Sequence, residues 1–184
     1  MIKVPYNYLP MQFSNPEPFI EDWRELIKTA DFTLGTYVKK FEDQFAEYVG
    51  AKYCIATNNG TDALVLSLKS LGIGVGDEVI TVCNSFYATT GAIIAVGAIP
   101  VFVDCDDTFC MNINEIEKKI TKRTKAIVPV HFTGYMTNMP EIIRIAKKYN
   151  LFVVEDACQS ILGSINGKNA GTWGHCGAFS LHPL

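Results

Sequence analysis

The sequence lacks the features that mark several classes of protein. Its 16 Lys and Arg residues form no dense cluster, and 19 Asp and Glu residues give a net charge of −3. A nucleic-acid surface needs clustered basic residues, so nucleic acid is excluded as a partner. The most apolar stretch, 91–103, is shorter than the roughly 20 residues that cross a bilayer, and the N-terminus has no signal-peptide core. We therefore expect a soluble, cytoplasmic protein with no membrane contact.

Patterns for disulfide bonds and metal sites are also missing. None of the six cysteines forms a Cys-x-x-Cys pair, and the three histidines have no ligand spacing. With 48% hydrophobic residues, the chain has enough apolar material for one sizeable core without disulfide bonds. We expect free thiols and no metal ion.

Helical and strand patterns alternate along most of the chain. Segments 126–130 and 151–154 are apolar on both faces, which is typical of strands buried in a parallel sheet. The expected helices are 17–30, 36–49, 61–71, 87–96, 114–120 and 138–149. The expected strands are 53–57, 78–82, 101–104, 126–130, 151–155 and 176–181. The pattern predicts an α/β fold with a mostly parallel sheet flanked by helices.

Ligands of such sheets bind beyond the carboxyl ends of the strands, where Gly60 and Thr61 open a predicted helix. The unpaired N–H groups of a helix N-terminus suit a phosphate, and the Thr61 hydroxyl could add a hydrogen bond. The alternative is a plain turn in which Thr61 caps the helix. The spacing fits neither the Gly-x-Gly-x-x-Gly dinucleotide loop nor the Walker A loop.

Asp156 follows an apolar strand, where an ionised carboxylate is costly unless it meets a cation or hydrogen-bond donors. A protonated pyridine nitrogen is one such cation. Gln159, three residues later, could donate to a second polar atom of the same ligand. The alternative is that Asp156 caps the next turn.

Three further residues lie near predicted strand ends. Phe86 could stack on a planar cofactor, or it could be an ordinary core residue. Ser180 could hold a phosphate. His182 could be a general base or a hydrogen-bonded loop histidine.

Eight segments of the chain, including Asn-Gly-Thr at 59–61 and Glu-Asp-Ala-Cys-Gln at 155–159, follow one another in a familiar order. The segments are 32–35, 59–61, 76–81, 100–104, 121–127, 129–131, 155–159 and 179–183. Together they resemble the DegT/DnrJ/EryC1/StrS family of sugar-nucleotide aminotransferases, and the likeness covers nearly the whole chain. The resemblance implies the large domain of a fold type I, aspartate aminotransferase-like enzyme. Its cofactor would be pyridoxal 5'-phosphate (PLP), with pyridoxamine 5'-phosphate (PMP) as the intermediate form.

The resemblance also implies roles for particular residues. Those that would contact the cofactor are Gly60, Thr61, Phe86, Asp156, Gln159 and Ser180. Asp156 would pair with the pyridinium nitrogen and keep the ring an electron sink. Phe86 would stack on the ring, and Gln159 would bond its hydroxyl. The Schiff-base lysine is expected immediately after Leu184.

The implied reaction transfers an amino group from an amino acid, usually L-glutamate, to a keto carbon of a nucleotide-linked deoxysugar. Residues 1–50 would form an N-terminal arm and helices, with 1–16 irregular, and 51–184 would form part of the PLP-binding large domain. A C-terminal small domain would lie outside this chain. Family members are homodimers with shared active sites. Two alternatives are a PLP- or PMP-dependent sugar dehydratase, with histidine replacing the lysine, and a non-catalytic PLP-binding module.

Overall fold

A parallel sheet forms the centre of the computed structural model, which describes residues 8–182. The described residues form the strands β1 (Glu78–Val82), β2 (Ile99–Val103), β3 (Thr124–Val128), β4 (Phe152–Asp156), β5 (Ser164–Ile165), β6 (Lys168–Asn169) and β7 (Cys176–Ala178). Five of them make one sheet in the order β2-β1-β3-β4-β7, and every neighbouring pair is parallel. Strands β5 and β6 form a separate antiparallel pair. The carboxyl ends of the five sheet strands therefore lie along one edge.

Helices cover both faces of this sheet. The helices of the described residues are α1 (Leu9–Gln12), α2 (Glu17–Thr29), α3 (Thr36–Val49), α4 (Gly60–Ser70), α5 (Tyr87–Ala95), α6 (Ile113–Lys119) and α7 (Met139–Tyr149), and the last four of them pack on the sheet. Buried residues of α4 and α5 pack on one face of the sheet, and those of α6 and α7 pack on the other. A short 3-10 turn, Phe132–Gly134, follows β3.

Successive strand residues contribute to two separate hydrophobic cores. Val153 belongs to the core that contains Ile142 of α7, whereas Val154 belongs to the core that contains Leu64 and Leu68 of α4. Burying each such aliphatic side chain stabilises the fold by about 1.5–3 kcal/mol. Strands that are apolar on both faces are thus explained by helices on both sides, and the predicted α/β class is confirmed.

Local sequence sets several helix ends. Gly50 ends α3 with a left-handed φ of 77°, which glycine adopts at little steric cost. The side chain of Asn59 accepts a hydrogen bond from the Asp62 N–H and caps α4. Asn138 caps α7 in the same way, through the Glu141 N–H. The predicted helices are confirmed, and none of their ends differs by more than one residue.

The strand predicted at residues 53–57 is wrong. The segment has no strand partner; instead, the Ala56 N–H donates to Oε1 of Glu42 on α3, at 2.9 Å. Tyr53 and Ile55 are exposed. Their strand-like composition was misleading because a strand also needs a neighbouring edge to pair with, and here a helix side chain satisfies the backbone.

Two other predictions need correction. The arm predicted to be irregular over residues 1–16 contains the helical turn α1, and its residues 1–7 lie outside the described residues. The last strand was expected over 176–181 but ends at Ala178. Positions 183 and 184, which complete the last matched segment and precede the expected lysine, also lie outside the described residues.

Within residues 8–182, every helix is too short or too polar to span a lipid bilayer. Across that same described part of the chain, no three His, Cys, Asp or Glu side chains cluster closely enough to hold a metal ion. All six cysteines are free thiols in the structure.

Candidate functional site

Asp156 is the last residue of β4 and is only 5% exposed. Its Oδ2 accepts a hydrogen bond from the Thr89 hydroxyl at 2.7 Å, and its Oδ1 accepts one from the Cys158 N–H at 3.2 Å. The second bond caps the turn that follows β4, as in the alternative noted for Asp156, while Oδ2 is held by a different element. Two donors thus orient a buried carboxylate at the carboxyl edge of the sheet.

Cys158 lies beside this carboxylate, and its Sγ is 3.8 Å from the Ala178 carbonyl oxygen. Burial, and then the negative charge of Asp156, raise the pKa of the Cys158 thiol far above its ordinary value. The thiol is therefore protonated at neutral pH, which makes it a poor nucleophile and adds no charge to the site.

Gly60 begins α4 and is packed against the end of the chain's last sheet strand. A Cβ at this position would lie 3.0 Å from both Cys158 Sγ and Ser180 Cβ, so a larger residue would push these groups apart. Asn59 caps the helix, so the alternative in which Thr61 is the cap is wrong. Among the described residues, the N–H groups of Gly60 and Thr61 meet no hydrogen-bond acceptor, which leaves two donors at a positive helix end.

Ser180 reaches this helix end because β7 pairs with β4, with Ala178 opposite Asp156. Its Oγ accepts a hydrogen bond from the His182 N–H at 3.2 Å, and the hydroxyl proton is left to donate elsewhere. The His182 side chain is exposed, at the rim of the site rather than beside Asp156.

A cleft of about 970 Å³ opens beside the start of α4. Its wall includes Gly60, Ser180 and His182, together with the exposed Tyr53 and Ile55. The volume is that of a typical small-molecule site.

Phe86 and Gln159 also lie at the carboxyl edge of the sheet. Phe86 precedes α5 and is 56% exposed, so the alternative that it is a core residue is wrong. The Oε1 of Gln159 accepts the Thr133 N–H at 2.8 Å, which fixes the amide and leaves its NH₂ group as a donor.

A second buried carboxylate, Glu155, directly precedes Asp156 and contacts a buried histidine. Its Oε2 lies 3.0 Å from Nε2 of His131, and neither side chain has any exposed surface. The Thr137 N–H donates to the other ring nitrogen, Nδ1, at 3.3 Å. Since Nδ1 is the acceptor, the ring proton is on Nε2 and is donated to Glu155.

Glu155 also holds the loop that leads into β7. It accepts the N–H groups of Gly171 at 2.9 Å, Trp173 at 2.6 Å and Gly174 at 2.8 Å. Four donors therefore satisfy one buried carboxylate. They also fix the loop before β7, the strand that precedes Ser180.

Comparison with known proteins identifies the family of the chain. The model of the DegT/DnrJ/EryC1/StrS aminotransferase family matches residues 14–184. The chain belongs to this aminotransferase family. The resemblance noted in the sequence, and the fold class it implied, are confirmed.

Two curated relatives of this DegT/DnrJ/EryC1/StrS chain illustrate the match. The UDP-N-acetyl-3-dehydro-alpha-D-glucosamine 3-aminotransferase of Acidithiobacillus ferrooxidans is 45% identical over 160 residues, which cover 86% of this chain and 43% of that protein. The dTDP-3-amino-3,6-dideoxy-alpha-D-galactopyranose transaminase of Aneurinibacillus thermoaerophilus is 46% identical over 157 residues, which cover 85% of this chain and 43% of that protein. The chain thus spans less than half the length of these relatives.

Solved structures of the family agree with the fold. A DegT DnrJ EryC1 StrS aminotransferase from Brucella abortus superposes with a TM-score of 0.92 at 35% identity. The match covers 98% of this chain and 51% of the Brucella chain. NtdA from Bacillus subtilis, solved with bound cofactor PMP, gives a TM-score of 0.83 at 41% identity. The match covers 93% of this chain and 40% of the NtdA chain.

Sequence reasoning missed several groups that build the site of this DegT/DnrJ/EryC1/StrS chain. Glu155 stands within an apolar strand, and that position alone could have signalled a buried, fully bonded carboxylate. His131 follows β3, but nothing local indicates that it meets Glu155. The contact of Thr89 with Asp156 likewise has no local signal.

Proposed function

We propose that this chain is the cofactor-binding part of a cytoplasmic, PLP-dependent aminotransferase. The enzyme would transfer an amino group from an amino acid, L-glutamate, to a keto carbon of a nucleotide-linked deoxysugar during deoxyaminosugar biosynthesis. One observation carries the proposal: a buried carboxylate, Asp156, lies at the carboxyl edge of the sheet in a chain of an aminotransferase family. Residues 51–184 would be part of the large domain, preceded by an arm and helices in residues 1–50.

The charges and donors of the site fit this cofactor. The Thr89 hydroxyl donates to one Asp156 oxygen and the Cys158 N–H to the other, and a carboxylate has about four lone-pair sites, so a site remains for a ring N–H. A buried, ionised carboxylate favours a cationic partner such as a pyridinium nitrogen. The N–H groups of Gly60 and Thr61, with the Ser180 hydroxyl, supply donors for a phosphate.

The chain's own residues would bind and orient this cofactor, which supplies an electron sink when bound. Asp156 would hold the ring nitrogen in its protonated form. Phe86 would cover one face of the ring, and the NH₂ group of Gln159 would donate to the ring hydroxyl. His182, at the rim of the cleft, is our candidate for accepting or delivering a proton. The Schiff-base lysine would follow Leu184 directly.

The names of relatives support the substrates. Those with UDP- and dTDP-linked sugars in their names support a nucleotide-linked acceptor. A Bacillus subtilis relative that is 42% identical over 162 residues is named 3-oxo-glucose-6-phosphate:glutamate aminotransferase, which supports glutamate as the donor.

A homodimer with shared active sites is part of the proposal. Helix α2 has no buried residue, and its Phe19, Trp23 and Ile27 are all more than half exposed. Exposed aromatic and aliphatic side chains along one amphipathic helix favour an apolar partner surface.

Borohydride reduction of the full-length protein with bound PLP tests the proposal. Mass spectrometry of the peptide that runs from Ser180 past Leu184 should find a lysine carrying the reduced cofactor. An unmodified histidine at that position would instead support the dehydratase. Spectral conversion of the bound PLP to PMP by L-glutamate, and its reversal by a keto sugar nucleotide, tests the reaction itself. A protein that binds no PLP, or that no amino acid converts, would contradict it.

A further inference from the structure

Two hydroxyl groups form a short hydrogen-bonded series that ends on the Asp156 carboxylate. The Thr89 Oγ1 lies 2.7 Å from Asp156 Oδ2, and the Ser85 Oγ lies 2.6 Å from Thr89 Oγ1. Thr89 is 1% exposed, and Ser85 is partly buried. Water therefore has little access to the inner of these two contacts.

The chemistry of the three groups fixes the direction of this series. An ionised carboxylate can only accept, so the single proton of the Thr89 hydroxyl goes to Asp156. The Thr89 oxygen then accepts the proton of Ser85. Hydrogen bonds to an ionised acceptor are about twice as strong as neutral ones, so the Thr89 hydroxyl holds the Asp156 carboxylate firmly in one orientation.

Thr89 also connects two elements that are distant in sequence. Its backbone N–H donates to the Phe86 carbonyl at 3.1 Å, while its hydroxyl contacts Asp156, which is 67 residues away. One residue in the first turn of α5 thus fixes the aromatic residue before the helix relative to the carboxylate at the end of β4.

We propose that Thr89, supported by Ser85, is a positioning residue that holds the Asp156 carboxylate aimed at the ring nitrogen of the cofactor. This inference rests on the proposed function. Neither hydroxyl needs to contact the cofactor, since each acts through Asp156. The other side chain beside Asp156 is the Cys158 thiol, which burial keeps protonated; a thiol is a weaker hydrogen-bond donor than a hydroxyl, and its Sγ also lies 3.8 Å from the Ala178 carbonyl oxygen.

The test uses the full-length protein, freed of cofactor and then supplied with PMP labelled with ¹⁵N in the ring. PMP avoids any dependence on the lysine. The ring ¹⁵N chemical shift distinguishes a protonated from a neutral nitrogen, and a binding titration gives Kd. A purely structural role of Thr89 would not alter the protonation of the ring.

Thr89→Val keeps the shape of the side chain and removes its hydroxyl. We expect its Kd to rise roughly tenfold, as for the loss of one hydrogen bond to a charged group, and the ring ¹⁵N signal to move toward the neutral position. Thr89→Ser restores the hydroxyl and should behave like the wild type. Ser85→Ala should change both measurements in the same direction but by less. Thr90→Val, at the next position of α5, is the matched control and should change neither.

Several outcomes would overturn the inference. A wild type that binds PMP with a protonated ring, together with an unchanged Thr89→Val, would leave the proposed function intact and remove the role of Thr89. A wild type that does not bind PMP would contradict the proposed function as well. If Thr89→Val does not fold, the other two variants decide the question. An unchanged ring ¹⁵N signal in Ser85→Ala would contradict the proposal, and so would a neutral ring nitrogen in Thr89→Ser.

Discussion

The Nε2 of His131 lies 3.0 Å from Oε2 of Glu155, and both side chains are completely buried. The bond joins the segment that follows β3 to the residue before Asp156, so it links the position of the candidate cofactor carboxylate to the neighbouring strand. The same Glu155 carboxylate holds the loop of residues 171–174. The pair therefore stabilises the framework around the site.

Glu155→Gln should destabilise the protein by about 2–4 kcal/mol, because an amide NH₂ group would then face backbone N–H groups that need an acceptor. Urea unfolding of the full-length protein at neutral pH measures this change. Glu21→Gln, on the exposed surface of α2, is the control and should change stability by less than about 0.5 kcal/mol. Equal stabilities of the two variants would contradict the structural role of Glu155.

Gly60→Ala should weaken binding of PLP roughly tenfold or more, equivalent to at least about 1.4 kcal/mol. The added Cβ would lie 3.0 Å from Ser180 Cβ and Cys158 Sγ, and would move the groups we expect to hold the phosphate. Gly91→Ala is a matched control, because no atom lies within 4 Å of a Cβ at that position of α5. It should bind normally and gain about 0.5–1 kcal/mol of stability as a better helix former. Wild-type affinity in Gly60→Ala would argue against a phosphate at this helix end.

Glu78 should make the stability of the protein depend on pH in the acid range. Its carboxylate accepts from the Thr121 hydroxyl and the Arg123 guanidinium, and these contacts, the hydroxyl first, hold the pKa of Glu78 below its ordinary value of 4.5. The charged form is thus favoured in the folded state. Its contribution is complete above pH 4.5 and is lost as the pH falls through the lowered folded pKa.

Glu78→Gln removes this titration. The free energy of unfolding of the wild type should exceed that of the variant at about pH 7, and the difference should narrow at about pH 3.5. Denaturant unfolding at both pH values measures this difference. A gap that stays constant down to the lower pH would contradict the assignment.

Cys158 should resist alkylation while Cys83 reacts. Burial and the Asp156 charge raise the pKa of the Cys158 thiol, and only a thiolate reacts readily, whereas the Cys83 side chain is exposed at the end of β1. Peptide mapping after timed treatment with iodoacetamide at about pH 8 should show Cys158 at least about tenfold slower than Cys83. Comparable rates at the two cysteines would mean that Cys158 is more accessible than the structure indicates.

The fold was largely predictable because its signals are local. Adjacent apolar residues such as Val153 and Val154 indicate a strand covered on both faces, and helix ends such as Gly50 have their own chemistry. The segment 53–57 was mispredicted because composition cannot show whether a pairing edge is available.

The site was predictable only in part, for the same reason. Gly60 and Asp156 were found because each stands at a recognisable junction between elements, although their proposed roles remain to be tested. Thr89 and His131 were not found as partners of the site, since their contacts join residues 67 and 24 positions apart. Nothing in a local pattern specifies such pairs.

The close packing of Gly60 against Ser180 has a consequence for how the protein is made. The two residues are 120 positions apart, and Ser180 reaches Gly60 only because β7 pairs with β4. On the ribosome, the start of α4 emerges long before β7 does, and the Asp156 strand emerges shortly before it. A nascent chain that has not yet reached Cys176 therefore has neither the Ser180 hydroxyl nor the strand that precedes it. We expect the phosphate site to be completed late in synthesis, so that cofactor capture reports that the whole sheet has formed.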